Sequence, residues 1–150
     1  MAEPSTWVVV ADAGRARIFQ YRGLKQLLQP ALDRQLVHDT RPSREIASDR
    51  QGRGFDAGGE GRHGMEPGTD PHRYEQQCFA QEISGLLEQH HNQGDFRHLV
   101  LVAPPGMLGD LRANLSDRLR QLVSREEDKD LTRLGTDQLS ERIQALMKPF

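Results

Sequence analysis

Residues 7–19 read WVVVADAGRARIF, and the fold class is decided there. Trp7-Val8-Val9-Val10-Ala11 is an unbroken apolar run rich in β-branched residues, the composition of a strand covered on both faces. Arg15, Ala16, Arg17 and Ile18 alternate polar with apolar, the pattern of a half-exposed strand. Asp12-Ala13-Gly14 between them has the length and chemistry of a tight hairpin loop, so the chain is expected to open on two antiparallel strands.

Working outward, residues 98–103 (HLVLVA) form a second apolar run, closed by Pro104-Pro105-Gly106 and expected to be a second buried strand. A helix is expected at once, with Leu108, Leu111, Leu115, Leu119 and Leu122 as one continuous apolar seam. Leu139, Ile143, Leu146 and Met147 mark a last helix starting near Thr136 or Asp137. The charged stretch between them, residues 123–134 (VSREEDKDLTRL), suits an edge strand. Leu24, Leu27, Leu28 and Leu32 recur near helical spacing but Pro30 interrupts them, and residues 35–38 suit a short extended piece. Strands interleaved with amphipathic helices give an α/β fold, a mixed sheet with an N-terminal β-hairpin and helices packed on it.

Between these blocks, residues 41–73 carry seven glycines, six arginines and six carboxylates, with almost no apolar residues. A long glycine-rich loop is expected, of a length that inside compact domains is usually functional or disordered. Asp70-Pro71 ends it with an N-cap acceptor and a proline at the first helical position. Phe79, Ile83, Leu86 and Leu87 then trace the apolar stripe of a helix that Gly94 stops.

At 150 residues the chain has the length of one domain, expected to span 1–150, and it can bury a core without disulfide or metal staples. Twenty basic and 22 acidic residues leave a net charge of −2, which excludes a histone-like polycation, so any charged partner is met locally. Cys78 is the single cysteine, so no internal disulfide or thiolate zinc cluster can form. Residues 1–6 lack a basic n-region and the apolar runs are too short for a membrane span, which suggests a cytoplasmic location.

No Walker A, HExxH, GxSxG or CxxC pattern occurs, and no cofactor or metal is expected. Gly52-Arg53-Gly54 neither follows a strong strand nor opens a helix, so it is not a dinucleotide fingerprint. His90 and His91 are neighbours on a helix and point about 100° apart, better suited to a solvated helix end than to a shared metal. Asn114-Leu115-Ser116 is a sequon in form only, placed inside a helix. Residues 50–63 (RQGRGFDAGGEGRH) are more distinctive, because pliable glycines let Arg50, Arg53, Arg62 and His63 reach phosphates. Against this, Asp56, Glu60 and Glu66 offset the arginines, as in an ordinary solvated loop. Arg15 and Arg17 share one face of the hairpin and make a second local basic patch. Asp12 is commonplace turn chemistry and Lys129-Asp130 a commonplace charge pair, and together they carry a weaker hydrolase reading.

WVVVADAGRARIF at 7–19, Gly-Arg-Gly-Phe at 52–55, Asp70-Pro71, HLVLVAPPGMLGDLR at 98–112 and LVSREEDKDLTRL at 122–134 together resemble the bacterial host attachment protein family. That family in turn resembles the middle domain of the eukaryotic and archaeal class 1 peptide-chain release factors and of Pelota, which implies a ribonuclease H-like α/β fold. In the release factors a Gly-Gly-Gln tip on a basic glycine loop enters the peptidyl transferase centre. Gly58-Gly59-Glu60 occupies the corresponding stretch here, and the glutamate departs from that pattern.

The resemblance implies a non-enzymatic release-factor-like domain that contacts the ribosome, tRNA or structured RNA, in translation stress or ribosome rescue. It uses Arg50, Arg53, Gly58, Gly59, Glu60, Arg62 and His63 together with Arg15 and Arg17. No sequence-specific DNA reading is expected. The alternatives are a host-cell attachment protein, as the family name implies, and a hydrolase of peptidyl-tRNA or nucleic acid using Asp12, Lys129 or Asp130.

Overall fold

The computed structural model describes residues 6–23, 26–38 and 71–147. The sequence candidates Arg50, Arg53, Gly58, Gly59, Glu60, Arg62 and His63, and the Asp70 cap, lie outside the described residues. The chain runs β1 (Thr6–Ala11), β2 (Arg15–Tyr21), β3 (Gln29–Pro30), β4 (Leu36–Val37), α1 (Pro71–Asn92), β5 (His98–Val102), α2 (Pro105–Asn114), α3 (Asp117–Leu122), β6 (Val123–Glu127) and α4 (Thr136–Met147). Pro71, His72 and Arg73 belong to the first turn of α1, so the glycine-rich stretch ends before residue 73, as proline at the first helical position dictates.

The strands form one open mixed sheet in the order β3-β2-β1-β5-β6, with β4 also on β2. β1 and β2 make the expected antiparallel hairpin, Ala11 opposite Ala16. β5 lies parallel to β1, and β6 lies parallel to β5 as the outer strand on that side. β3 and β4 are two-residue pieces held at opposite ends of β2, against Phe19-Gln20 and Arg15-Ala16 respectively.

Alternation along the strands sends side chains into two separate cores. Trp7, Val9, Leu99 and Leu101 pack under α1, α2 and α3, against Phe79, Ile83, Leu111 and Leu119. Val8, Val10, Val100 and Val102 pack under α4, against Leu131, Leu139 and Ile143. β1 and β5 are thus buried on both faces, at about 1.5–3 kcal/mol for each large side chain taken out of water.

One expected element divides. The seam from Leu108 to Leu122 is two helices, because Leu115 is extended (φ −72, ψ 142) and Ser116 caps the second by accepting from Leu119 N at 3.1 Å. Asn114 closes the first, donating from Nδ2 to Asp110 O at 2.8 Å while its carbonyl accepts from Ser84 Oγ at 2.7 Å. Asn and Ser compete for backbone groups in this way wherever a helix is free to end. Leu115 and Leu119 stay buried, which is why the seam reads as continuous. The Asn114-Leu115-Ser116 triplet therefore sits at a helix junction, not inside a helix.

The end of α1 also departs from expectation. His90 Nδ1 lies 2.7 Å from Asp95 Oδ2 and its ring stacks on Trp7 at 5.1 Å, while His91 stacks on Phe96 at 5.5 Å. These imidazoles are half-buried against Trp7 and Phe96 instead of standing fully in solvent. Gly94, at φ +82, makes the left-handed turn that ends the helix.

Candidate functional site

The carboxyl ends of β1, β5 and β6 lie side by side, and in open α/β sheets this is the edge where loops gather to bind ligands. The β1–β2 hairpin tip, the end of β4, the first turns of α1 and residues 128–135 all converge there. Asp12 builds the tip: its Oδ1 accepts from Gly14 N and Arg15 N, both at 2.9 Å, and its backbone N–H donates to Arg15 O at 2.8 Å. Its Oδ2 accepts from Thr132 Oγ at 3.0 Å.

Thr132 is 2% exposed and joins two of the sequence candidates. Asp130 Oδ1 lies 2.6 Å from the same hydroxyl and accepts from Thr132 N at 3.0 Å, an Asx-type turn. One hydroxyl proton therefore lies between two carboxylates, and Asp12 has both oxygens engaged in holding the hairpin to the 128–135 loop. Lys129 stands apart, 3.5 Å from Glu127 Oε2 and facing outward, so Lys129 and Asp130 do not act as a pair.

Arg15 and Arg17 share a face of β2 but differ in what they can reach. Arg15 is exposed at the tip. Arg17 donates from Nη1 to Thr132 O at 3.1 Å and Leu134 O at 2.6 Å, and its guanidinium lies 5.0 Å from the centre of the Phe19 ring. Burial, then repulsion from Arg15, lowers its pKa from the usual guanidinium value. Of the two, Arg15 has the freer head.

Behind the tip, His38 N donates to Gly14 O at 2.9 Å, and Val37 pairs with Arg15. The His38 side chain is 8% exposed, with Nε2 2.6 Å from Glu75 Oε1, Nδ1 3.1 Å from Glu82 Oε2, and its ring 5.4 Å from Phe79. A neutral imidazole has one N–H and satisfies one carboxylate; the imidazolium donates to both. Arg73 and Gln76 each reach Asp110 Oδ2 at 2.8 Å, fixing the start of α1 to α2. The chain leaves the described residues after His38 and returns at Pro71, and the residues on either side, Val37-His38 and Arg73-Glu75, are held near the corner that carries Arg15.

Sequence reasoning found Asp12, Arg15 and Asp130 but missed Thr132, His38, Glu75, Glu82 and Asp110. The Asp-x-Thr spacing at 130–132 was the one local signal available. The remaining residues meet only through tertiary packing. Among the described residues no group of three or more His, Cys, Asp or Glu side chains is arranged to hold a metal ion. No described helix is long and apolar enough to cross a membrane.

The chain is 30% identical over 81 residues to an uncharacterised protein of Rickettsia prowazekii, a match spanning 53% of this chain and 54% of that protein. The match thus covers about half the length of the curated relative. Among solved structures, an archaeal translation termination factor superposes with a TM-score of 0.40 at 12% identity, over 94% of this chain and 38% of the factor. The model of a family described as "protein required for attachment to host cells" matches residues 7–143, nearly the whole length, and the chain belongs to that family.

Proposed function

We propose that this protein is a non-enzymatic binding domain whose hairpin corner contacts structured RNA, on the ribosome or tRNA. The observation that carries the reading is the placement of exposed Arg15 beside Val37-His38 and the first turns of α1, the described residues that flank positions 39–70. That segment carries Arg50, Arg53, Arg62 and His63 around Gly58-Gly59-Glu60. Those cations and Arg15 together would supply the charge that a phosphate backbone needs. A binding role also accords with Asp12, which spends Oδ1 on the N–H groups of Gly14 and Arg15 and Oδ2 on Thr132, whereas Asp130 spends only Oδ1. A general base needs a free oxygen within reach of substrate.

A salt titration of RNA affinity is the test. Four arginine–phosphate contacts on single strands give a slope of log K against log salt of about −3, and removing one flattens it by about 0.7. Arg15→Ala and the triple Arg50/Arg53/Arg62→Ala variant are both expected to weaken binding. Unchanged affinity and slope in both would take this corner out of the interface. Peptidyl-tRNA hydrolysis on purified ribosomes is expected to be absent with wild type, because an ionised Glu60 only accepts hydrogen bonds where a glutamine also donates. Release that is lost on changing Gly58 or Gly59 would overturn the non-enzymatic reading.

The family description supports a second reading, direct contact with a host cell. Cell fractionation separates the two: cosedimentation with ribosomes supports the first, recovery at the cell envelope the second.

A further inference from the structure

At the far side of the sheet from Arg15, β6 pairs among the described residues only with β5, and none of them covers its outer edge. Glu127 O accepts from Ala103 N on the inner side, so by alternation Glu126 turns its N–H and C=O outward. Ser124 is the extra residue where the β5–β6 register shifts, and its carbonyl accepts from the guanidinium of Arg125 at 3.2 Å, so the regular outer edge begins after it. Such an edge is a template for an added strand.

Grooves run along both faces of this edge. One of about 350 Å³ lies between β6 and α2–α3, floored by Leu115 and Val123 and rimmed by Arg112 and Arg120. The other, of about 390 Å³, lies between β6 and α4, floored by Leu146 and Ile143 and rimmed by Arg125 and Arg142. An added strand sends alternate side chains into the two grooves.

Charge decides what kind of strand. Four arginines rim the edge, and three of them have a carboxylate partner. Arg112 is forked on Glu126 with Nε–O distances of 3.0 Å, Arg120 reaches Asp117 at 2.6 Å, and Arg142 is 4.0 Å from Glu127, a carboxylate it shares with Lys129. Arg125 donates to the carbonyls of Leu146 and Ser124 at 3.3 and 3.2 Å and has no carboxylate partner among the described residues. Five cations, Lys129 among them, thus face four carboxylates, Asp117, Glu126, Glu127 and Asp128, and the heads of Arg112, Arg120 and Arg142 are about half exposed.

We propose that the open edge of β6 binds an extended acidic peptide segment of a partner protein by strand addition, its backbone bonding to Glu126 and its side chains alternating between the two arginine-rimmed grooves. A nucleic acid fits less well. It cannot use the outward backbone groups in ladder register. This surface is separate from the hairpin corner, so its test stands apart from the RNA reading.

The probe is a capped octapeptide alternating glutamate with valine, titrated into the full chain while backbone amide resonances are followed. Shifts are expected at Arg125, Glu126 and Glu127, and none with the lysine–valine counterpart. Arg125→Glu and Arg142→Glu are each expected to weaken binding roughly tenfold, about 1.4 kcal/mol. The second variant loses only a long ion pair, so it guards against misfolding of the first. N-methylation of one alternate set of peptide amides should abolish binding while methylation of the other set is tolerated, a readout on unaltered protein. Equal binding of both methylated peptides would reduce the site to unspecific charge attraction and overturn the proposal. So would tighter binding of a single-stranded RNA at the same residues, or a wild-type dimer that Glu126→Pro dissolves, which would put a second copy of this chain on the edge.

Discussion

The Thr132 hydroxyl holds one proton between Asp12 Oδ2 and Asp130 Oδ1. At 2% exposure water cannot replace it, so the side chain decides whether the hairpin tip and the 128–135 loop stay joined. Thr132→Val keeps the shape and removes the donor, leaving two carboxylates facing a methyl group, at an expected cost of about 1–3 kcal/mol. Thr132→Ser keeps the hydroxyl and should recover most of that loss. Urea unfolding of the three proteins measures it, and a valine variant as stable as wild type would mean that both carboxylates are satisfied without the hydroxyl. The sequence made Asp12 legible as a turn residue because its Gly14 and Arg15 partners are two and three positions away. Its bond to Thr132 crosses 120 positions, and Arg17 bonds carbonyls 115 and 117 positions distant, so no local pattern could reveal that Arg15 is exposed and Arg17 spent.

At the level of elements, the junction of α2 with α3 shows what periodicity reads and what it overlooks. Leu108, Leu111, Leu115 and Leu119 are all buried on one side, so the 3.6-residue period survives while the backbone breaks beneath it. The break is fastened to α1: Ser116 Oγ donates to Glu88 Oε1 at 2.9 Å, and Arg118 pairs with Glu88 Oε2. Hydrogen bonds from Arg118, then from Ser116, hold the Glu88 pKa below its ordinary 4.5. A carboxyl depressed on folding adds stability that is present above 4.5 and disappears as pH falls through the lower folded value. Because Glu88 lies near the surface, the contribution is expected to be below about 1 kcal/mol. Between pH 5 and 3, wild type should therefore lose slightly more stability than Glu88→Gln, and salt should narrow the gap. Parallel acid-unfolding curves for the two proteins would show that this contact does not couple α1 to α3.

Across the whole molecule, the sheet divides into a centre that its composition announces and margins that it does not. β1 and β5 read as strands because both faces are covered and every position after the first, Thr6 and His98, is apolar, and they stand together in the middle of the order. β3 and β4 are two residues each, set by register against β2 and by backbone bonds such as Ala31 N to Ile18 O at 2.9 Å, so nothing in their own residues marks them as paired. β6 was legible as an edge through its charges, but three of the four arginines that rim it, Arg112, Arg120 and Arg142, come from α2, α3 and α4, elements that only the fold assembles. This division has a dynamic consequence, since amides buried in the central ladder exchange only by global unfolding while marginal strands open locally. Hydrogen exchange followed residue by residue should find Val8 to Val10 and Leu99 to Val102 slowest, with the outward Glu126 amide fast and slowed when the acidic octapeptide is added. If the Glu126 amide in the free protein were protected as strongly as that of Val100, the outer edge of β6 would already be covered in solution, and both the openness of the sheet and the strand-addition site would have to be abandoned.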